Sequence, residues 1–173
     1  MVLRRWREGD AELFEAVVSE SAEHLRPWVS WMALEPLSLE ERRAMLARRE
    51  QAWLEGGDVF LAVIADGQVA GGCGLHRRAP GTLEIGYWIH PSFLRRGLAT
   101  KASALLTDAA FTLAGVKHVE IHHDRANVAS AGVPQQLGFR LLGEQPNHQA
   151  APNDSGIDYA WRVSRRAWLA RRR

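Results

Sequence analysis

The chain is poor in cysteine: Cys73 is the only one among 173 residues. One thiol cannot form an internal disulfide, and it is too few for a cysteine-based zinc site. No run of about 18 apolar residues occurs, which excludes a transmembrane helix, and no apolar segment of the signal-peptide type follows Met1–Trp6. These absences predict a cytoplasmic protein, in which Cys73 is a small buried residue and not a nucleophile.

Lysine is also scarce, because only Lys101 and Lys117 occur and the other basic residues are arginines. The formal net charge is +2, and no nucleic-acid-binding motif accompanies this small excess. We interpret the arginines at Arg165, Arg166 and 171–173 as a solvated tail. Binding of RNA by this tail is a weaker alternative.

A hydrophobic share of 46% is enough for one well-packed core, so residues 1–173 are predicted to form a single domain. The periodicities predict the order β-α-α-β-β-β-α-β-α-β-β. Ser38 with Glu41 predicts a capped helix start, and Asp66-Gly67 predicts a hairpin turn. His122 and His123 should face opposite sides of a strand, so we predict no metal site.

The most informative stretch runs from Leu83 to Gly115. Residues alternate between apolar and other types up to Ile89, which predicts a strand that Pro91 ends. A basic, glycine-containing turn follows, and apolar residues then recur at helical spacing as far as Gly115. A strand, a turn and a helix start in this order direct unpaired amides and the positive end of the helix dipole at one point, where a phosphate or pyrophosphate can bind.

These motifs resemble the GNAT acyltransferase superfamily, and more closely its RimJ/RimL-type N-acetyltransferases. The resemblance rests on Glu84–Ile89, on Arg95–Thr100, on Asn127 with Ser130, and on Leu137–Phe139. It implies an α+β fold of three α/β/α layers, with a mixed, mostly antiparallel sheet of about seven strands and helices on both faces. The usual first polar residue of the family turn is replaced by Leu94, for which Arg95 and Arg96 can compensate.

The resemblance implies that acetyl-CoA is the co-substrate and that no metal is used. It places the cofactor against the end of the strand, the turn and the following helix. The cofactor-binding residues expected on this basis are Trp88, Ile89, Leu94, Arg95, Arg96, Gly97, Leu98, Ala99, Thr100, Asn127 and Ser130. Trp28, Trp31 and Tyr87 are expected to bind the acceptor, since a similar tryptophan-containing segment borders the substrate in the RimJ/RimL subgroup.

Acyl transfer from a thioester to an amine requires a group that removes a proton from the ammonium and a group that protonates the leaving thiolate. Glu84 is the candidate proton acceptor, directly or through water, because a carboxylate in a partly dry cleft becomes a competent base. The resemblance to RimL-type members implies that Ser130 is the candidate proton donor, and departure of the thiolate without a catalytic acid is the alternative. Glu144 and His148 are reserve candidates near the loop 145–156, which we expect to cover the substrate.

We therefore predict an acetyl-CoA-dependent N-acetyltransferase that transfers the acetyl group directly in a ternary complex. The acceptor is either a protein N-terminal amine or a small amine such as an antibiotic or polyamine. A non-catalytic acyl-CoA-binding or regulatory module is the alternative function. No membrane partner is expected, nucleic acid is not favoured, and a monomer and a homodimer are both compatible with the sequence.

Overall fold

The computed structural model describes residues 1–147 and 151–171. His148 and two of the C-terminal arginines, Arg172 and Arg173, lie outside the described residues. The strands are β1 Val2–Arg5, β2 Val59–Ala65, β3 Gln68–Ala79, β4 Thr82–Ile89, β5 His118–Asp124, β6 Arg140–Pro146 and β7 Ile157–Ser164. The helices are α1 Ala11–Leu25, α2 Leu39–Leu54, α3 Leu98–Thr112, α4 Val128–Gln136 and α5 Arg165–Ala170. In the described chain no helix is long and apolar enough to cross a bilayer.

The seven strands form one sheet in the order β1-β2-β3-β4-β5-β7-β6. Neighbouring strands are antiparallel except β4 and β5, which are joined through α3 and run parallel. Two separate cores flank the sheet: one lies beneath α3 and α5, and the other beneath α1 and α2. The predicted α+β fold, a mixed and mostly antiparallel sheet with helices on both faces, is confirmed.

Local sequence signals account for most element boundaries. The Ser38 side chain accepts a hydrogen bond from the amide of Glu41, whose carboxylate bonds back to Ser38, so α2 begins with the predicted capping box. Asp66 and Gly67 both have positive φ, 52° and 76°, and connect β2 to β3. Pro134 lies inside α4, where its missing N–H removes one hydrogen bond without ending the helix.

A buried ion-pair network joins the two helices on the α1/α2 face. Arg42 of α2 is fully buried and donates to both Glu15 of α1 and Glu35 of the loop before α2. Its guanidinium also lies 4.9 Å from the centroid of the Phe14 ring. The network therefore fixes the segment that carries Trp28 and Trp31 relative to the sheet.

Two sequence expectations about burial were wrong. The arginine-rich C-terminus is not a solvated tail up to residue 171, because it forms α5, whose Trp168 is 6% exposed and donates to Asp108. Arg165 and Arg171 donate to backbone carbonyls of neighbouring segments. The helical spacing of apolar residues also predicts that Leu13, Leu105 and Leu113 lie on inner helix faces, yet these three residues are more than 40% exposed. In both cases, burial depends on packing against residues that are distant in the sequence, which a local pattern does not reveal.

Candidate active site

The turn between β4 and α3 has the geometry of an anion site. Arg95 and Gly97 have positive φ, 60° and 69°, and α3 begins directly after Gly97. Within residues 1–147 and 151–171, no acceptor engages the amides of residues 95–100. Lys101 is the first residue of this segment whose amide is bonded, to the carbonyl of Gly97. The turn therefore presents free N–H groups at a helix N-terminus, the arrangement that binds phosphate.

The side chains of the turn differ in their availability. Arg96 pairs with Asp66 of the β2–β3 hairpin at 2.5 Å and lies 5.2 Å from the centroid of the Phe93 ring. Arg95 is exposed and has no ion-pair partner in the part of the chain that is described. Leu94 is 41% exposed. Arg95 is thus the basic side chain that is best placed to replace the polar residue missing at Leu94.

Strands β4 and β5 separate beside this turn. Among the described residues they are paired only from Thr82 to Ile85 on β4, and no described strand pairs with the rest of β4 on that side. On the opposite side of β4, the amide of His90 donates to the carbonyl of Ala70 in β3. Because successive strand amides point in opposite directions, those of Tyr87 and Ile89 face the gap. The gap therefore offers main-chain donors where a thioester carbonyl can be polarised.

A cavity of about 350 Å³ opens at this gap on the α1/α2 side of the sheet. Its aromatic wall includes Trp28 and Trp31, which the sequence indicated, and also Trp88. The rings of Trp31 and Trp88 meet edge to face, with centroids 6.5 Å apart. A Cβ atom on Gly72 would lie 2.5 Å from Nε1 of Trp88. Glycine is therefore needed at position 72 for the indole to lie flat against β3.

Glu84 lies on the cavity floor, and its side chain is 16% exposed. Its Oε2 atom accepts a hydrogen bond from Arg78 at 2.9 Å and lies 3.5 Å from Nδ1 of His122. Its Oε1 atom has no hydrogen-bond partner in the described ranges. One carboxylate oxygen is therefore anchored while the other remains available to an acceptor.

His122 connects Glu84 to a second group of charges. Its Nε2 lies 2.8 Å from Glu120, whose other carboxylate oxygen is paired with Arg162. Burial lowers the pKa of His122, but the hydrogen bond to Glu120 and the charges of Glu84, Glu120 and Asp158 outweigh it, and the net pKa is raised. These carboxylates therefore make His122 easier to protonate than a free imidazole. Its neighbour His123 turns to the other face and accepts a hydrogen bond from Trp161, as alternation predicted.

Further carboxylates line the mouth of the cavity. Asp154 and Asp158 both accept from Asn147, and burial is the main reason why the pKa of each is raised. Asp124 is engaged by the amides of Ala126 and Ser155. The sequence reading identified no acidic cleft, yet these groups converge here. Glu120, His122 and Asp124 occupy alternate positions of β5 and therefore share one face of the strand. This alternation is the sequence pattern that could have predicted the acidic lining of the cavity.

The groups expected to act at the thiol lie across the gap. Asn127 caps α4, and its Oδ1 accepts from the amide of Ser130 at 3.3 Å. The hydroxyl of Ser130 has no hydrogen-bond partner in residues 1–147 and 151–171. Tyr87 donates to the carbonyl of Ser130, and burial raises the pKa of its phenol. Tyr87 also lines the same cavity as Trp28 and Trp31, so the structure brings it together with both groups.

The other candidates are set apart from this centre. Glu144 is half exposed beside Arg125 and does not line the cavity. Cys73 is 6% exposed, and burial raises its pKa to about 12, so it is a buried residue as predicted. In the described ranges, no group of three or more His, Cys, Asp or Glu residues is arranged to hold a metal.

The chain belongs to the acetyltransferase (GNAT) domain family, whose pattern matches residues 1–140. It is therefore an acyltransferase, an acetyl-CoA-dependent N-acetyltransferase. Its co-substrate fits the structure, because the free amides at residues 95–100 suit a diphosphate and the gap beside β4 suits an extended arm. The predicted membership and co-substrate are confirmed.

Relatives with described roles are similar over most of the chain. The "Putative ribosomal N-acetyltransferase YdaF" of Bacillus subtilis (strain 168) is 28% identical over 149 residues, covering 83% of this chain and 80% of that protein. RimL, a ribosomal L7/L12 α-N-protein acetyltransferase solved with coenzyme A, has a TM-score of 0.85 at 19% identity, with 94% and 92% coverage. MccE, a microcin C7 self-immunity acetyltransferase solved with acetyl-CoA and AMP, has a TM-score of 0.84 at 17% identity, with 94% and 91% coverage.

Proposed function

We propose that this protein acetylates the N-terminal α-amine of a protein, with a ribosomal protein as the foremost acceptor class. The observation that carries the proposal is the meeting of the tryptophan-walled, carboxylate-lined cavity with the gap between β4 and β5. Carboxylates attract an ammonium, and an aromatic wall can hold the first side chain of a peptide. The described role of YdaF supports this acceptor class. Such an acceptor would be met in the cytoplasm.

In the proposed mechanism, the amides of residues 95–100, with Arg95, hold the diphosphate of acetyl-CoA. Acetyl-CoA supplies an acetyl thioester. Tyr87 and Ile89 direct their amides at its carbonyl oxygen, where negative charge develops. Glu84 receives the acceptor ammonium through its free Oε1 and is the first acceptor of its proton, while Ser130 donates a proton to the leaving sulfur.

The direct test is release of thiol from acetyl-CoA in the presence of a panel of amines. We expect turnover with peptides that carry ribosomal-protein N-termini and none with the same peptides already acetylated. Turnover only with small amines would replace the protein acceptor by a small molecule. Binding of coenzyme A without turnover on any amine would favour the non-catalytic module instead.

Substitution of Glu84 tests the proposed proton acceptor. Glu84→Gln keeps the hydrogen-bonding shape but removes the basic oxygen, so we expect kcat to fall about 10²- to 10³-fold. Glu144→Gln is the matched control, because Glu144 lies outside the cavity, and it should retain wild-type kcat. Equal rates for the two variants would remove Glu84 from the mechanism.

A further inference from the structure

A second acid–base pair lies beside Glu84, and its histidine, His76, lines the same cavity. Nδ1 of His76 is 2.9 Å from a carboxylate oxygen of Asp58, and His76 is the cross-strand partner of Glu84. The other oxygen of Asp58 accepts the amide of Arg77 at 2.8 Å. Burial acts to raise the pKa of Asp58, but these two hydrogen bonds outweigh it and lower the net pKa. Asp58 is therefore an anchored anion that can orient the imidazole.

The contact with Asp58 leaves one particular nitrogen available. A carboxylate at Nδ1 requires a proton there, so the neutral imidazole carries its lone pair on Nε2. Nε2 of His76 has no hydrogen-bond partner in the described parts of the chain. The same logic orients the histidine in other nucleophile–histidine–carboxylate sites. His76 is thus held in the tautomer that can accept a proton from the cavity.

Two glycines allow the ring to reach the reaction centre. Gly74 and Gly86 are cross-strand partners on β3 and β4. A Cβ atom on Gly86 would lie 3.2 Å from Nε2 of His76, and one on Gly74 would lie 3.5 Å away. The imidazole therefore lies over bare backbone, and Nε2 projects above Gly86. Gly86 directly follows Ile85, the last β4 residue paired with β5, so Nε2 stands where the gap opens.

We propose that His76, oriented by Asp58, is a further catalytic residue that takes over the acceptor's proton from Glu84. This inference rests on the proposed N-acetyltransferase mechanism. One N–H bond of the ammonium breaks, and its proton passes through Glu84 to Nε2 of His76, where a new N–H bond forms. The freed nitrogen lone pair forms the bond to the acetyl carbon as the C–S bond breaks. The sulfur keeps the electron pair and takes the hydroxyl proton of Ser130. The nitrogen, now bonded to the acetyl carbon, loses its second proton, which restores the Ser130 hydroxyl, and the imidazolium then returns its proton to solvent.

The charges around His76 are compatible with this role. Asp58 faces it from the start of β2, and Glu84, paired with Arg78, faces it from β4. Arg49 of α2 lies over the Phe60 ring, which itself meets the imidazole edge to face. His122 approaches from β5 on the far side of Glu84. Asp58 and Glu84 are therefore the two carboxylates that face His76.

Three variants test the proposal with the full-length protein. In His76→Asn an amide replaces the ring and can still donate a hydrogen bond to Asp58. We expect kcat to fall about 10²-fold and the acid limb of the pH profile to be lost. The Kd for coenzyme A should not change. His76→Ala should recover activity in added imidazole. Gly86→Ala should lower kcat by displacing Nε2. His24→Asn, on the exposed end of α1, is the matched control and should behave as wild type.

A measurement without turnover provides the independent check. Long-range ¹H–¹⁵N NMR of the free enzyme should show His76 protonated at Nδ1 and bare at Nε2, and Asp58→Asn should disturb this tautomer. A proton on Nε2 in the neutral wild-type imidazole would overturn the proposal. A wild-type kcat and pH profile in His76→Asn would also overturn it. So would a loss of activity in His76→Ala that added imidazole does not restore. If wild type releases no thiol with any amine, the proposed function fails first, which distinguishes the two failures.

Discussion

The phosphate-type turn and the acceptor cavity lie at neighbouring points along β4, yet they are built in different ways. The turn uses main-chain groups of consecutive residues, from Leu94 to Thr100. The cavity combines side chains from β3, β4, β5 and β7, which sheet register aligns, with Trp28 and Trp31 of the segment between α1 and α2. In the proposed mechanism, a local sequence motif therefore binds the co-substrate, whereas binding of the acceptor depends on contacts between residues far apart in the chain.

The largest effect predicted on binding tests the turn. Gly97→Glu places a negative charge at the anion site, so we expect the Kd for coenzyme A to rise at least about 100-fold, or about 2.8 kcal/mol. Calorimetry measures it. The matched control is Gly115→Glu, because Gly115 also has positive φ and open space at its Cβ, but lies at the other end of α3. Unchanged affinity in Gly97→Glu would contradict a main-chain diphosphate site.

The aromatic wall provides the second prediction, on the acceptor side of the comparison. Trp31→Ala removes the ring that meets Trp88, and a buried aromatic contact of this kind is worth about 1–2 kcal/mol in binding. We expect the KM for a peptide acceptor to rise about tenfold, while the Kd for coenzyme A stays within twofold. Steady-state kinetics with varied peptide separates the two constants. A matching loss of coenzyme A affinity would show that the two regions are not independent.

This contrast also explains what the sequence could predict. Alternation correctly assigned the two faces of β4, and Gly97 with Ala99 correctly indicated the turn. The same alternation placed Glu84 on the cavity side. No local pattern could show that His76 pairs with Asp58 or that Gly74 stands opposite Gly86, because both facts depend on how β2, β3 and β4 align. Trp168 was missed for a similar reason, since its burial depends on contacts with distant α3.

The smallest predicted effect concerns the charge cluster around His122. Its pKa is raised in the folded protein above the ordinary value of 6.5, so folding is favoured by proton uptake. The resulting stability is fully present below about pH 6.5 and is lost as the pH rises through the folded-state pKa. His122→Gln should remove this contribution. The difference in free energy of unfolding between wild type and variant should therefore be larger at pH 6 than at pH 9.

Urea denaturation at the two pH values measures this difference, and His118→Gln serves as the control because His118 begins β5 outside the cavity. A difference that grows with pH would mean that folding favours the neutral imidazole of His122. The main-chain donors of the turn do not titrate, so its capacity to bind an anion should not change with pH. The charge of the cavity depends instead on which of its side chains holds a proton. In its cationic form, His122 neutralises part of the charge of the carboxylates near the acceptor end of β4, and so stabilises the cavity.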